Sequence, residues 1–182
     1  MTIEILKFFQ KMKVFVTVFA LLCFQLTFAQ AFSGKGDVKF QIGANIQNNG
    51  TGIMGSLDFG LGENISVGVA SSYLLGIDKI TNADGEEEPF AKFEDRFDFR
   101  ARFNANLGNV INVDENFDVY PGLYASLKNF GGHLGARYFF TSGFGVFMEV
   151  SLPISKYNTD TLTSAEKLHN QVAVNVGAVF GI

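Results

Sequence analysis

The chain has 182 residues, among them 20 Gly and 21 Phe, no Trp and one Cys. Asp and Glu number 18 against 14 Lys and Arg, which gives a formal net charge of -4. No basic run could neutralise a phosphate backbone, so nucleic acid is excluded as a partner.

An export signal opens the sequence. Lys11 and Lys13 precede the apolar run VFVTVFALLCF, and AQA, ending at Ala31, supplies the small residues that signal peptidase requires. The run is shorter than the ~20 apolar residues of a membrane-spanning helix. We therefore expect residues 1–31 to be a secretory signal peptide and residues 32–182, about 150 residues, to form one domain.

The leader has two further features. Glu4 is unusual in a basic leader, so translation starting at Met12 is an alternative that gives a compact MKVF start. Cys23 lies inside the apolar run and is expected to leave with the signal. The mature chain is then expected to have no disulfide and no cysteine metal site.

Beyond the leader, apolar and polar residues alternate with a period of two, which is typical of β-strands. In DVKFQIGANIQ, for example, Val38, Phe40 and Ile42 alternate with Lys39 and Gln41. The pattern predicts about eight strands of roughly nine to fourteen residues, a length that can cross a bilayer when tilted. In chain order these are DVKFQIGANIQ, IMGSLDFGLG, ISVGVASSYLLGI, FEDRFDFRARFNANL, FDVYPGLYASLK, HLGARYFFT, FGVFMEVSLPIS and LHNQVAVNVGAVFGI.

The connections between these strands predict the topology. With the N-terminus on the inner side, the two longest connections, residues 78–92 and 156–167, both point outward, as in outer-membrane barrels. The predicted fold is therefore an all-β, eight-stranded antiparallel up-and-down transmembrane barrel. Pro121 and Pro153 cannot donate to a ladder, so we expect a bulge or a later strand start at Pro121 and the end of pairing near Pro153.

Side-chain size predicts that the apolar face points outward. The polar face consists mostly of small residues that suit a narrow, crowded lumen: Gly43, Ser56, Gly68, Ser72, Gly76, Gly122, Ser126, Gly135 and Gly177. Larger aromatic residues fall near the inner strand ends on the apolar face, where they predict an aromatic girdle: Phe59, Phe117, Tyr138, Phe140, Phe144 and Phe180. A thinner outer girdle is predicted from Tyr73, Phe93 and Phe97.

The C-terminal NVGAVFGI resembles the signal that the barrel-assembly machinery reads in outer-membrane proteins, through Asn175, Gly177, Phe180 and Ile182. It departs from that signal in ending with Ile where Phe is usual. With this tail, the mature chain resembles the small OmpA/OmpX-like eight-stranded barrels of Gram-negative bacteria. GKGDVKFQIGANIQNNGTGI, DFGLGENISVG, RFDFRARFNANLG and YPGLYASLKNFGGHLGARYFFTSGFGVF resemble, more narrowly, uncharacterised secreted barrel proteins of the Bacteroidota.

This resemblance implies a cell outer membrane location reached through the secretory pathway, but no known activity. It also implies contact with outer-membrane lipids and lipopolysaccharide, and with the assembly machinery during biogenesis. A surface partner is not identifiable from the sequence, and a monomer is expected.

Charged residues on the inward face are expected to form an ion-pair and hydrogen-bond network that plugs the lumen, since an unpaired charge there would cost several kcal/mol. They are Lys39, Asp58, Arg96, Asp98, Arg100, Arg102, Arg137 and Glu149. The alternative is an anion-conducting or ligand-binding site. An eight-stranded interior is about filled by side chains, which argues against a wide pore.

No catalytic constellation is recognisable in the sequence. His133 lies at the top of its strand without a Ser or Asp at a suitable spacing, and His169 opens the last strand beside Asn170. Both are interpreted as rim residues. Residues 84–89, DGEEEP, are interpreted as a solvated acidic loop, with a divalent-cation site as the alternative. We therefore predict a non-enzymatic protein without cofactor or metal. The alternatives are a secreted soluble barrel that binds a small lipophile, and a lipid-modifying outer-membrane enzyme.

Overall fold

A computed structural model describes residues 31–78, 91–141, 143–158, 165 and 167–182. Most of the predicted signal peptide with Cys23, the acidic stretch 84–89 and much of both long outer connections lie outside the described residues.

Within these residues the chain forms eight strands and two short helices. The strands are β1 (Val38–Gln47), β2 (Gly50–Gly60), β3 (Ile65–Ile77), β4 (Phe97–Ala105), β5 (Phe117–Ser126), β6 (Asn129–Thr141), β7 (Phe144–Lys156) and β8 (Ala173–Gly181). Helix α1 (Phe93–Arg96) precedes β4 and helix α2 (Gly108–Ile111) follows it. Each strand pairs antiparallel with the next and β8 pairs with β1, so the predicted eight-stranded up-and-down barrel is confirmed.

The period of two separates the two faces of the wall. In β1, Lys39, Gln41 and Asn45 are buried inside the barrel, whereas Ile42 and Ile46 are exposed on its outer surface. The end at which β1 begins and β8 ends is called the inner end, and the opposite end is called the outer end.

The barrel closes where β1 and β8 meet at two glycines. Gly43 pairs with Gly177, and the backbones approach so closely that a Cβ on Gly177 would collide with Ile42 O. These glycines are therefore required by the close approach of two strands, in addition to keeping the lumen free.

Strand four begins later than the alternation predicts, because residues 93–96 form α1. Asp95 Oδ2 accepts a hydrogen bond from Lys92 N at 2.9 Å, and Arg96 N donates to Lys92 O at 3.2 Å. This local capping outweighs the period-two pattern. Arg96 is consequently displaced from the lumen-facing series that begins at Asp98.

Strand six begins earlier than predicted. Ser126 Oγ accepts hydrogen bonds from Lys128 N and Asn129 N, each at 3.0 Å, and closes a turn at residues 127–128. Residues 129–132, which precede the predicted sixth strand HLGARYFFT, are therefore part of β6. As a result His133 lies within the strand instead of at its start.

The two prolines lie beside irregularities of pairing. β5 begins at Phe117 and pairs with β6 through Pro121 without a register shift, so the expected bulge or later strand start is wrong. The ladder between β4 and β5 ends at Gly122, so Pro121 pairs only with β6. Pro153 pairs with Gly131 next to a register shift, and pairing continues to Lys156. The expectation that pairing stops near Pro153 is therefore wrong, since a bulge accommodates the proline instead.

Candidate functional site

The middle of the lumen is organised around the Arg102 guanidinium on β4. Its Nη2 lies 2.6 Å from Glu149 Oε2 on β7, and its Nε lies 3.2 Å from Asp58 Oδ1 on β2. All three side chains are buried. The contact with Asp58 is an ion pair without hydrogen-bond geometry, so one arginine neutralises two carboxylates unequally.

His133 belongs to this middle layer, and its interpretation as a rim residue is wrong. Its Nε2 lies 2.7 Å from Asn104 Oδ1 and 3.2 Å from Arg102 Nη2. The shorter contact, to an amide oxygen, assigns the proton to Nε2. The side chain is buried because β6 starts before it.

A second ionic layer lies toward the inner end. Arg137 Nη2 donates to Asp118 Oδ2 at 2.7 Å and to Asn106 Oδ1 at 2.8 Å. Lys39 Nζ lies 2.8 Å from Asp37 Oδ1. These pairs neutralise the buried cations at this end of the lumen.

A third layer lies toward the outer end. Arg100 Nε donates to Asp98 Oδ2 at 2.7 Å, and its Nη1 donates to Ser151 Oγ at 3.1 Å. The guanidinium also lies over the Tyr124 ring, 4.5 Å from the centroid, in a cation–π contact.

The structure thus places seven of the eight predicted lumen charges inside the barrel and excludes Arg96. Arg96 lies on α1 at the outer mouth, where its Nε donates to Ala91 O at 3.2 Å. The prediction that Arg96 shares the inward strand face is wrong because α1 replaces the start of that strand.

Uncharged polar residues also build the network, although the predicted network named only charged residues. Gln41 Nε2 donates to Tyr120 Oη at 3.0 Å, and Ser56 Oγ donates to Gln41 Oε1 at 2.9 Å. Tyr120 and Tyr124 occupy lumen space opposite glycines, since a Cβ on Gly135 or Gly131 would collide with their rings. Period-two register alone would have placed both tyrosines inside.

A described segment of the last connection covers the outer mouth. Leu168, His169 and Asn170 are buried. His169 N donates to Gln47 Oε1 at 2.8 Å, and Asn129 Nδ2 donates to His169 O at 2.9 Å. Residues 167–171, called the outer plug, thereby connect β1 with β6 across the opening.

The ring of His169 adds a third attachment. Its Nε2 lies 2.8 Å from Arg96 O, which identifies Nε2 as the donor, and its Nδ1 lies 3.3 Å from Gln47 Nε2. Burial lowers the pKa of His169 to about 4, although the Arg96 carbonyl opposes that shift. His169 is thus near the rim, as expected, but it is buried and neutral.

Lys128 supports the outer plug from the β5–β6 turn. Its Nζ donates to Asp95 O at 2.9 Å and to Leu168 O at 3.4 Å. Partial burial lowers the pKa of Lys128, an effect that nearby Asp95 opposes.

The inner mouth is covered by residues 32–37, called the inner plug. Phe32 is buried, and so is Ala31, the last residue of the predicted signal peptide, whose N donates to Glu115 O at 2.9 Å. The Phe32 ring lies 5.8 Å from the Arg137 guanidinium. An apolar cluster of Met54, Phe139, Phe147 and Val179 packs with Ala31 just inside this mouth.

A small cavity lies in the lumen between the plugs, with a volume of about 10 Å³, which is room for about one water molecule. It is lined by polar groups that include Arg100, Arg102, Tyr124, His133, Glu149 and Asn175. Among the described residues, no group of three or more His, Cys, Asp or Glu side chains is arranged to hold a metal ion.

The predicted inner girdle residues Phe59, Tyr138, Phe140 and Phe144 are exposed on the outer surface near the inner end, and Phe117 is half-buried there. A chain of ring contacts joins Tyr138, Phe140, Phe144, Phe180 and Phe40, with centroid distances of 5.5 to 6.3 Å. Phe40 was not predicted. At the outer end, Phe93 contacts both Tyr73 and Phe97.

The predicted C-terminal assembly signal occupies the closing strand. Asn175 Oδ1 accepts from Asn45 Nδ2 at 2.7 Å inside the barrel, and Gly177 forms the close approach to β1. Phe180 packs between Phe40 and Phe144, and Ile182 is exposed, with its N bonded to Val38 O at 2.9 Å. All four residues therefore also have a place in the closed barrel.

Comparisons with known proteins give the fold and the family. No described helix is long and apolar enough to cross a membrane, and no curated protein matches the sequence. The fold is similar to a solved structure from a study titled "De novo design of transmembrane beta-barrels", with a TM-score of 0.53 and 9% identity, over 82% of this chain and 98% of that chain. A family of unknown function (DUF6646) matches residues 21–182, so the chain belongs to that family.

Proposed function

We propose that this protein spans the outer membrane as a plugged, monomeric, non-enzymatic barrel with a structural or surface-interaction role in the envelope. The observation that carries this proposal is the distribution of side chains across the barrel wall. Charged and amide side chains are buried inside, whereas large apolar side chains are exposed outside. That arrangement is the inverse of a soluble protein and is the one that a lipid bilayer favours.

The outer surface supports the membrane placement because its exposed apolar residues come from every strand. They include Ile42, Ile53, Val69, Phe103, Leu123, Leu134, Met148 and Val176. Soluble monomers rarely expose a contiguous apolar patch of more than a few hundred Å². A closed barrel also leaves no strand edge to be satisfied in lipid.

The soluble alternative, a barrel that binds a lipophile, does not fit this geometry. Such a protein needs an apolar interior of several hundred Å³. Here the interior holds ion pairs centred on Arg100, Arg102 and Arg137, and the cavity beside Arg100 and Arg102 has a volume of about 10 Å³.

An enzymatic role has weak support among the described side chains. The nearest approach to a nucleophile and base is Ser72 Oγ, 3.5 Å from His169 Nδ1. This is at the limit of a hydrogen bond, and His169 Nε2 binds a backbone carbonyl instead of an orienting acid. Both side chains are buried under the outer plug.

A plugged lumen is favoured over a conducting one. Three ionic layers fill the interior, and described segments cover both mouths. Any ion crossing the lumen would have to displace side chains that are already paired. We therefore place the function on the outer surface and in the lipid contact, with membrane lipids, lipopolysaccharide and an unidentified surface partner as binding candidates.

The same proposal predicts how the protein is exported and assembled. Residues 1–31 would direct export through the secretory pathway, and the OmpA/OmpX-like C-terminal pattern ending at Ile182 would be read by the barrel-assembly machinery. The Bacteroidota-type resemblance suggests the cell envelope in which to test this.

The decisive experiment is to fractionate expressing cells and to run the outer membrane, unboiled and boiled, on a denaturing gel. A membrane barrel is expected in that fraction with a mobility that shifts on boiling. A protein in the soluble periplasm or medium without a shift would overturn the membrane placement. Planar-bilayer recordings of the purified protein should show no steady channel conductance, and a steady conductance would overturn the plugged lumen.

A further inference from the structure

The connection between β4 and β5 exposes three apolar side chains at the inner end of the barrel. Val110 is 63% exposed, Ile111 51% and Val113 73%. We propose that these residues, called the inner patch, insert into the lipid leaflet around the inner mouth as an interfacial anchor, an inference that rests on the membrane placement proposed above. The partner that covers the inner patch is thus a phospholipid surface.

The orientation of α2 supports this proposal, because the polar side of the connection is the side attached to the barrel. Gly108 N donates to Asp118 Oδ1 at 2.7 Å, and Leu107 N donates to Val119 O at 2.9 Å. Asn109 Nδ2 donates to Phe32 O of the inner plug at 3.1 Å. These bonds fix the connection at the inner mouth while the apolar side chains of α2 remain exposed.

The position of the inner patch along the barrel also supports lipid as the occupant. Shortly after Val113, β5 begins at Phe117, whose register partner is Tyr138 on the outer face of β6. Tyr138 starts the chain of ring contacts at the inner end. Three residues, 114–116, thus separate the inner patch in sequence from the edge of the apolar outer surface that the bilayer would cover.

The charge of the connection specifies the lipid chemistry. Residues 106–116 contain no Lys or Arg, and Val113 is followed by the exposed acidic residues Asp114 and Glu115. Insertion must therefore depend on apolar burial, without attraction to anionic head groups. We assign a zwitterionic phospholipid surface to the inner patch.

The absence of Trp from the chain permits a direct test by fluorescence. The full mature protein carrying Val110→Trp is refolded into phosphatidylcholine vesicles whose acyl chains are brominated both near the head group and near the chain end. We expect strong quenching relative to unbrominated vesicles. Met148→Trp, on the exposed outer face of β7, is the control for a side chain in lipid. Lys35→Trp, exposed at the inner end of the barrel, is the control for a side chain in water.

The controls separate failure of the anchor from failure of the membrane placement. Quenching of Met148→Trp without quenching of Val110→Trp would overturn the anchor alone, whereas an unquenched Met148→Trp in the folded protein would overturn the proposed function. If Val110→Trp fails to fold, Val113→Trp serves as the reporter. Equal quenching of the reporter and Lys35→Trp would also overturn the anchor.

The chemistry of insertion is tested in the Val110→Trp background. Adding Ile111→Asp and Val113→Asp is expected to abolish most of the quenching, and persistence of full quenching would contradict insertion through the inner patch. Mixing phosphatidylglycerol into the vesicles is expected to leave quenching unchanged or to reduce it. Quenching that requires the anionic lipid would overturn the assignment of a zwitterionic surface.

Discussion

Arg102 on β4 and Glu149 on β7 form an ion pair across the lumen, with Nη2 2.6 Å from Oε2. These strands are not neighbours in the barrel, so the pair ties opposite walls together. Asp58 adds a second carboxylate from β2. Removing the shared arginine would leave two buried charges without compensation.

We therefore expect Arg102→Met to lower the free energy of unfolding by about 3 to 5 kcal/mol, the usual cost of breaking a buried pair. Glu149→Gln preserves shape and leaves Arg102 beside Asp58, so its cost should be smaller, about 1 to 3 kcal/mol. Urea titrations of both variants in lipid vesicles measure the difference. An equal or larger loss for Glu149→Gln would show that Arg102 is not the shared centre of the network.

His169 predicts a pH dependence of stability. Burial holds its pKa at about 4 in the folded protein, below the value of 6.5 of the unfolded chain. Between these values the unfolded state binds more protons than the folded state. Neutral His169 therefore contributes its full stabilisation of the fold above pH 6.5, and this contribution is lost as the pH falls to 4. The expected loss is about 3 kcal/mol. Around the ring lie Gln47, Ser72 and the Arg96 carbonyl, with Asp98, Lys128 and Arg100 as the nearby charges.

His169→Asn is the matched variant, because Asn tolerates the left-handed backbone at this position, where φ is 65°. It should be less stable than the parent at pH 7 and should lose less stability between pH 6.5 and pH 4. Urea titrations at several pH values give, for each protein, the slope of the free energy of unfolding against pH. If the slopes coincide, protonation of His169 does not contribute to acid destabilisation.

The barrel was predictable from the sequence because one physical rule applies along its whole length. Apolar outward-facing and polar inward-facing residues must alternate, and Ile42 beside Gln41 illustrates the pattern that recurs in all eight strands. The rule fails where local hydrogen bonds compete with it. Asp95 caps a helical turn that displaces Arg96, and Ser126 closes a turn that brings His133 into the lumen.

The lumen partners were only partly predictable. Charges at inward positions of the alternation pattern, such as Arg102 and Glu149, could be assigned to the interior, but their pairing depends on which strands face each other. No alternation of apolar and polar residues marks the two plugs in the sequence. The last predicted strand starts at Leu168 and the predicted domain starts at Phe32, yet both residues are buried at the mouths because the chain folds back over the lumen.

The glycines at the barrel closure provide a stability test with an internal control. A Cβ on Gly177 would collide with Ile42 O, whereas a Cβ on Gly55 would have only Gln41 O near it, at 3.7 Å. Gly177→Ala should therefore weaken the β1–β8 pairing and reduce the fraction of protein that resists unfolding on an unboiled gel. Gly55→Ala should be neutral or slightly stabilising, since alanine restricts the unfolded chain. Equal folded fractions would show that the strands can separate at Gly177 without cost.

Val176→Arg tests which side of the wall faces lipid. Val176 is exposed on β8, where it pairs with Met148 on one side and with Ala44 on the other. An arginine at this mid-strand position would enter hydrocarbon, at a cost of ~2 to 4 kcal/mol near the bilayer midplane. Folding into vesicles should therefore be impaired, whereas Val176→Leu, which keeps an apolar side chain, should fold normally. In water the same arginine would be harmless, so full folding of Val176→Arg in vesicles, with stability equal to that of Val176→Leu, would place this face in solvent and contradict a membrane-spanning barrel.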